Sequence, residues 1–289
     1  MKQLLILSGK GGTGKTTIAT SFIKLGNIKA FADCDVDAPN IHLLMNEFES
    51  EETLDYYGMD KAEIDLSKCI ECGKCIEICR FNAIENIDSY NINKYNCEGC
   101  GVCEAICPEQ AISMKKYIAG KTSLFKDSSI FSTAKLKMGS GNSGLLVSTV
   151  KKNLIKEAVK REDIEIAIID GSPGIGCPVI ASLSGTDAVL LVVEPSISGI
   201  SDMKRIIETS KRFKLPIMVC INKYDTNLVK TQEIEDYCLD NNLEIVGKIP
   251  FDKEVIKILN KGKSVIEEDN SAAENIKQMY KNVMSNLIK

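Results

Sequence analysis

Gly9-Lys10-Gly11-Gly12-Thr13-Gly14-Lys15-Thr16-Thr17 has the spacing G-x-x-x-x-G-K-[ST]. It lies between an apolar run, Gln3–Ser8, and residues 17–26 (TIATSFIKLG), whose apolar side chains recur at helical spacing. The reading is strand, glycine-rich loop, helix. Glycines let such a loop fold tightly, so that successive backbone N–H groups and the helix N-terminus face phosphate oxygens. Lys15 then brings a point charge to the β- and γ-phosphates, and the Thr16 hydroxyl is placed to ligate Mg²⁺.

Outward from this loop the same texture returns. Lys29–Ala32 is a second short apolar run, and Ile164–Asp170, Ala188–Glu194, Ile217–Asn222 and Leu243–Ile249 are further strand candidates. Ile200–Phe213 and Gln232–Leu239 between them are amphipathic. Apolar strands alternating with helices predict an α/β fold with a mostly parallel, doubly wound sheet covered on both faces. Ligands of such sheets bind beyond the carboxyl ends of the strands, where the polar motifs of this sequence fall.

The 289 residues are 44% hydrophobic and 26% charged, enough for a full core and without the signature of disorder. A net charge of −4 gives no nucleic-acid footprint, so no nucleic-acid partner is expected. No apolar run approaches bilayer length, and MKQLLILSGKGG lacks the parts of a signal peptide. The chain is therefore expected to be cytoplasmic. Near the C-terminus Ile276, Met279, Tyr280, Val283, Met284, Leu287 and Ile288 share one helical face. That face is expected to lie on the sheet as the last helix of the fold, not to target a membrane. With one histidine, His42, chemistry that needs a histidine base has a single candidate.

The second lysine of the loop, Lys10, narrows the reading. KGGTGKT resembles the deviant Walker A loop of the MinD/ParA/Mrp and nitrogenase Fe-protein group of P-loop ATPases. The resemblance implies that Gly9 through Thr17 bind nucleotide and that Lys10 reaches across a dimer interface to the partner's nucleotide. A nucleotide-sandwich homodimer follows, or a heterodimer with a related ATPase. DCDVDAPN (Asp33–Asn40) stands where the family has switch I. Asp35 maps to the acid that positions or activates the attacking water, which makes Lys10, Lys15 and Asp35 the catalytic set. Asp33 reads as a Mg²⁺-proximal or structural acid. For Asp37, and less so for Asp35, the alternative is an N-cap before a helix at Ile41–Met45. DGSPGIG from Asp170 resembles Walker B and switch II, usually D-x-P-P-G, with Ser172 where the first proline commonly stands. Asp170, with Thr16, is expected to hold Mg²⁺. Asn222-Lys223-Tyr224-Asp225 resembles the base-reading N-K-x-D; in the MinD/Mrp group the Asn contacts adenine, so ATP or ADP is the expected nucleotide. Ile249-Pro250-Phe251-Asp252 resembles the later loop that flanks the base, which nominates Pro250.

Twelve cysteines are many for a cytosolic chain, and eight fall in two quartets. CIECGKCIEICRFNAI (Cys69–Ile84) and CEGCGVCEAICPEQAI (Cys97–Ile112) share eight of sixteen positions at an offset of 28, an internal repeat that suggests a pseudo-twofold module. Each contains C-x₂-C-x₂-C-x₃-C, the run of bacterial two-cluster ferredoxins, in which the fourth cysteine ligates the other cluster. One [4Fe–4S] cluster is thus expected on Cys69, Cys72, Cys75 and Cys107, and a second on Cys97, Cys100, Cys103 and Cys79. The competing readings are paired Cys₄ zinc sites, which rarely use this spacing, and disulfides. The first run has Arg80 where the second has Pro108. Cys220 and Cys238 read as core residues. Cys177 lies seven residues after Asp170, where the nitrogenase Fe protein places a cluster cysteine, but no second cysteine presents itself to share a bridging cluster.

The expected organisation is an ATPase domain at 1–61 and 118–289 interrupted by an α+β bacterial-ferredoxin-like module at 62–117. Residues 47–60 read as a connection, and 123–144 as strand and flexible loop around GSGNSG. The whole resembles MinD-superfamily ATPases with an inserted ferredoxin domain. It implies a slow, partner-stimulated ATPase that couples nucleotide state to electron transfer, or to metallocofactor or Fe–S assembly on a partner protein. An Mrp-like cluster carrier and a MinD/ParA-like positioning ATPase with redox-sensing clusters are the alternatives.

Overall fold

The computed structural model describes residues 1–45, 48 and 51–288. In chain order the first elements are β1 (Lys2–Ser8), α1 (Lys15–Leu25), β2 (Ala30–Asp33), β3 (Glu51–Tyr57) and β4 (Lys61–Ile64). There follow α2 (Lys74–Ile78), β5 (Ile84–Asn86), β6 (Tyr90–Ile92), α3 (Val102–Ile106), β7 (Ile112–Lys115), β8 (Ile118–Lys126) and β9 (Ile130–Leu136). The last part comprises α4 (Ser143–Ala158), β10 (Ile166–Asp170), α5 (Cys177–Leu183), β11 (Ala188–Val193) and α6 (Ile197–Arg212). It ends with β12 (Ile217–Asn222), α7 (Leu228–Asp240), β13 (Glu244–Ile249), α8 (Lys253–Asn260) and α9 (Ser271–Ile288).

The chain forms two compact units, residues 1–53, 123–134 and 144–289, and residues 54–122 and 135–143. The second takes in more chain than 62–117. Glu51–Tyr57 is a strand where a connection is expected, and residues 47, 49 and 50 of that stretch lie outside the described residues. Strands β8 and β9 supply the strand expected within 123–144, and residues 137–142, around GSGNSG, are the loop.

In the first unit β13-β12-β11-β1-β10-β2-β9 are hydrogen-bonded neighbours in that order, every pair parallel. Leu4 through Leu7 of β1 are fully buried although successive side chains point to opposite faces, so both faces of the sheet are covered. On one face Ile276, Met279, Val283, Met284 and Leu287 of α9 are buried. Asn282 Nδ2 of that helix donates to the Val246 carbonyl of β13 at 2.9 Å. The expectation of a last helix on the sheet holds, except that Ile288 is exposed. Among the described residues no helix is long and apolar enough to cross a membrane.

The second unit repeats its backbone at the offset seen in the sequence. β4 pairs antiparallel with β7 and β5 with β6. Helices α2 and α3 start after Gly73 and Gly101, both left-handed (φ 77° and 74°), and end at Cys79 and Cys107. The Ala83 N–H points at the Cys79 Sγ (3.4 Å) and the Ala111 N–H at the Cys107 Sγ (3.3 Å). Its core is small: Ala62, Ala83, Ile84, Tyr90, Ile92, Cys97 and Ile112, with five further cysteines packed around it.

Candidate functional site

The parallel sheet brings β1, β2, β10, β11 and β12 to one edge with their carboxyl ends together: β2, β10 and β12 end in Asp33, Asp170 and Asn222, and the phosphate loop and Glu194 directly follow β1 and β11. The loop after β1 closes with Gly14 in the left-handed region (φ 93°), where an added Cβ would lie 2.4 Å from Asn222 Nδ2. Glycine is required there by both conformation and space. Helix α1 starts at Lys15 without a side-chain cap, which leaves its first N–H groups available to an anion.

Lys15 is buried and forms an ion pair with the fully buried Asp170, whose other oxygen accepts the Thr16 hydroxyl at 2.6 Å. The lysine expected at the phosphates and the two expected Mg²⁺ residues thus converge at one point. Asp33, in register with Asp170 on the neighbouring strand, accepts the backbone N–H of Asp35 (3.0 Å), Asn40 (2.8 Å) and Ile41 (3.0 Å). Burial first, and then the Asp170 charge, hold its carboxyl above the ordinary range. Asp35 is partly buried beside this pair, and its pKa too is raised, chiefly by burial. The N-cap reading is corrected. The helix at 41–43 is a single 3-10 turn following Asn40, without a side-chain cap bond, and Asp33 is the acid that takes its N–H groups. Asp37 is exposed.

Asn222 Nδ2 donates to the Thr13 carbonyl (2.7 Å) and Lys223 Nζ to the Gly12 carbonyl (3.0 Å), which ties the N-K-x-D segment to the phosphate loop. Beyond them is a cavity of about 250 Å³ lined by Gly12, Thr17, Asn222, Pro250, Phe251 and Ile256 among others. Asp225 is occupied: its Oδ1 accepts the Phe251 N–H at 2.7 Å.

Lys10 is half-exposed and paired with Glu194, at the end of β11, with Ser196 Oγ and Ser198 Oγ at 3.4 and 3.5 Å. Lys223 reaches the other Glu194 oxygen at 3.4 Å. Burial works against the Glu194 charge, but the Lys10 hydrogen bond and the two ammonium charges hold its pKa below the usual range. Sequence reasoning missed Glu194, although its place at a strand's carboxyl end was a signal. It missed the work of Ser172 as well: the hydroxyl donates to the Cys34 carbonyl, joining the segment after β10 to the one after β2.

In the second unit Cys97, Cys100, Cys103 and Cys79 line one cavity of about 370 Å³. Cys69, Cys72, Cys75 and Cys107 line a tighter one of about 20 Å³. The fourth cysteine of each run thus sits with the first three of the other. Burial pushes the Cys75 and Cys103 thiols up. Among the described residues no three His, Cys, Asp or Glu side chains close on a point as they would round a single metal ion. Cys34, Cys220 and Cys238 are buried; Cys177 is exposed at the first residue of α5.

Residues 4–265 match the model of the CobQ/CobB/MinD/ParA nucleotide binding domain. An uncharacterized protein of Methanocaldococcus jannaschii is 34% identical over 284 residues, 96% of this chain and 95% of that protein. The septum site-determining protein MinD of Neisseria meningitidis is 24% identical across 99% of this chain and 91% of its own length. A chain of the MinC:MinD cell division protein complex of Aquifex aeolicus superposes with a TM-score of 0.58 over 99% of this chain and 96% of that one, at 17% identity, a likeness of fold.

Proposed function

The chain belongs to the CobQ/CobB/MinD/ParA nucleotide-binding family, and from that premise we propose that it binds and hydrolyses Mg²⁺-ATP and couples its nucleotide state to two [4Fe–4S] clusters. The coupling would serve electron transfer to, or metallocofactor assembly on, a partner protein. The observation that carries this reading is the presence in one chain of a phosphate loop whose Lys15, Thr16 and Asp170 converge and of two cysteine quartets crossed between the halves of a repeat.

On the nucleotide side, Lys15 would turn from Asp170 to phosphate oxygens at the loop, and the Thr16 hydroxyl and the Asp170 carboxylate would hold Mg²⁺, which would neutralise phosphate charge. Asp35, raised by burial, is suited to orient or accept a proton from the attacking water. Adenine is favoured over guanine because the other motifs of the site resemble those of the ATP-using MinD/ParA branch, in which the Asn at the position of Asn222 contacts adenine. Lys10 must leave Glu194 to reach a second nucleotide, so the sandwich dimer requires that pair to open.

The cysteines fit cubane clusters: eight soft sulfur donors in two sets of four, with the Ala83 and Ala111 N–H groups aimed at Cys79 and Cys107 to stabilise thiolate. Bound there, the clusters would supply one-electron redox chemistry. Anaerobically purified protein is expected to contain about eight iron and eight sulfide per chain and to bind ATP only with Mg²⁺. Zinc in place of iron, or about half that iron, would overturn the two-cluster reading.

The likeness to MinD along nearly the whole chain favours a second reading, a positioning ATPase in which the clusters sense redox state. It would be preferred if reduction altered dimerisation but no electron left the protein for any acceptor.

A further inference from the structure

The twofold repeat of the second unit is broken at one buried charge. We propose that Lys61 makes the two quartets electrostatically unequal, so that the site of Cys79, Cys97, Cys100 and Cys103 is reduced before that of Cys69, Cys72, Cys75 and Cys107. This inference rests on the iron–sulfur reading above and gives the two sites different places in electron flow.

Lys61, the first residue of β4, is 5% exposed. Its ammonium donates to the backbone carbonyl of Cys97, itself one of the quartet, and lies 5.6 Å from the centre of the Tyr117 ring. No carboxylate pairs with it among the described residues. The offset of 28 carries Ile64 onto Ile92, Ala62 onto Tyr90 and Lys61 onto Ser89, which is exposed. At the other quartet a neutral side chain bonds the backbone: the Tyr90 hydroxyl donates to the Glu71 carbonyl at 3.1 Å.

The remaining charges do not cancel this difference. The Cys97 site is also lined by Arg80 and Glu98, and the Cys69 site by Lys74 and Glu109. Each has one exposed charge of each sign, and exposed charges are screened by water and salt. Lys61 is the excess, and it is the one held out of water. Uptake of an electron adds a negative charge at a site, and a nearby unscreened cation favours that state. Lys61 therefore raises the potential of the Cys97 site, leaving the Cys69 site as the stronger reductant.

The test is a redox titration of the full-length protein by EPR under anaerobic conditions, with dithionite as the one-electron donor, after iron and sulfide have been assayed. Wild type should show two resolved waves. Lys61→Met should lower the upper wave at least tenfold in its reduction equilibrium constant, about 59 mV for a one-electron couple, and leave the lower wave in place. Lys61→Arg should retain the upper wave, and Lys74→Met, which removes an exposed charge at the other site, should move neither wave as far. If Lys61→Met fails to retain iron, Lys61→Gln, which keeps a donor for the Cys97 carbonyl, takes its place. Coincident waves in wild type, or waves unmoved in the charge-removing variant, would overturn the inference. Protein without cluster iron would instead overturn the iron–sulfur reading beneath it.

Discussion

Lys15 and Asp170 hold each other, and Lys10 is held in the same way by Glu194. The two lysines differ in exposure, 5% against 37% for the side chains, which separates their roles. Lys10→Ala should retain ATP binding through Lys15 and lose ATP-dependent dimerisation. Light scattering with a non-hydrolysable analogue checks this, and undiminished dimer would remove the sandwich geometry. Asp33 gives a pH signature. Because burial and then the Asp170 charge raise its folded pKa to about 7, the folded chain holds a proton there over a pH range in which the unfolded chain has released it. The stability linked to that proton is complete below the unfolded carboxylate pKa and is lost as pH rises through the folded value. Asp33→Asn should flatten this fall in Tm between acid and neutral pH. It should also cost about 1–3 kcal/mol throughout, since an amide cannot accept all three N–H groups. Lys15 and Thr16 were legible in the sequence because the spacing of the loop defines them, and Asp170 because it ends an apolar run and opens a segment that resembles Walker B. Glu194 and Ser172 were not: their partners, Lys10 and the Cys34 carbonyl, are brought close only by the order in which the strands lie.

Strands β1, β10, β11 and β12 could be read almost to the residue, since burial on both faces makes them continuous apolar runs. Strand β3 could not. Of EETLDYY only Tyr56 is buried, so the apolar signal that marks a half-buried strand is missing. Helix α5 depends on a residue no motif singles out. Lys151, on α4, is buried and donates to the carbonyls of Ser182 (2.5 Å) and Ser184 (2.6 Å) and to Thr186 Oγ1 (3.0 Å), at the C-terminal end of α5. Burial pushes its pKa down to about 8, so it remains largely a cation at neutral pH and complements the negative end of that helix. Lys151→Met removes the ammonium from all three acceptors, leaving the Ser182 carbonyl only the Thr186 hydroxyl (2.9 Å). Chemical denaturation should register a loss of about 2–4 kcal/mol. Hydrogen exchange should show faster opening in α5 than in β11.

At the scale of the whole molecule the two units differ in what holds them. The nucleotide unit has a sheet buried on both faces, whereas the second unit has a few buried side chains ringed by cysteine sulfur, the kind of core that ordinarily needs a metal staple. Removal of iron by a chelator should therefore abolish amide protection in 61–115 and leave that of β1 and β11 intact. Equal loss in both units would contradict this division. The chain also leaves the nucleotide unit after Thr53 and rejoins it at Ser123, between β2, which carries Asp33, and β9, the strand paired with β2. The second unit thus interrupts the chain between β2, the neighbour of the strand that ends in Asp170, and β9, on the other side of β2. If closing round ATP changes the surroundings of either cysteine quartet, it changes the reduction potential there, and linkage requires reduction to change ATP affinity by the same free energy. A tenfold effect on affinity, about 1.4 kcal/mol, corresponds to roughly 59 mV for a one-electron couple. Redox titration without nucleotide, with ADP and with a non-hydrolysable ATP analogue, using Asp35→Asn to slow turnover, should give displaced curves. Dissociation constants for the analogue, measured on oxidised and dithionite-reduced protein, should differ by the matching factor. Three superimposable titrations would mean that the nucleotide does not gate the electrons, and would leave cluster delivery or redox sensing as the better account of why one chain carries both sites.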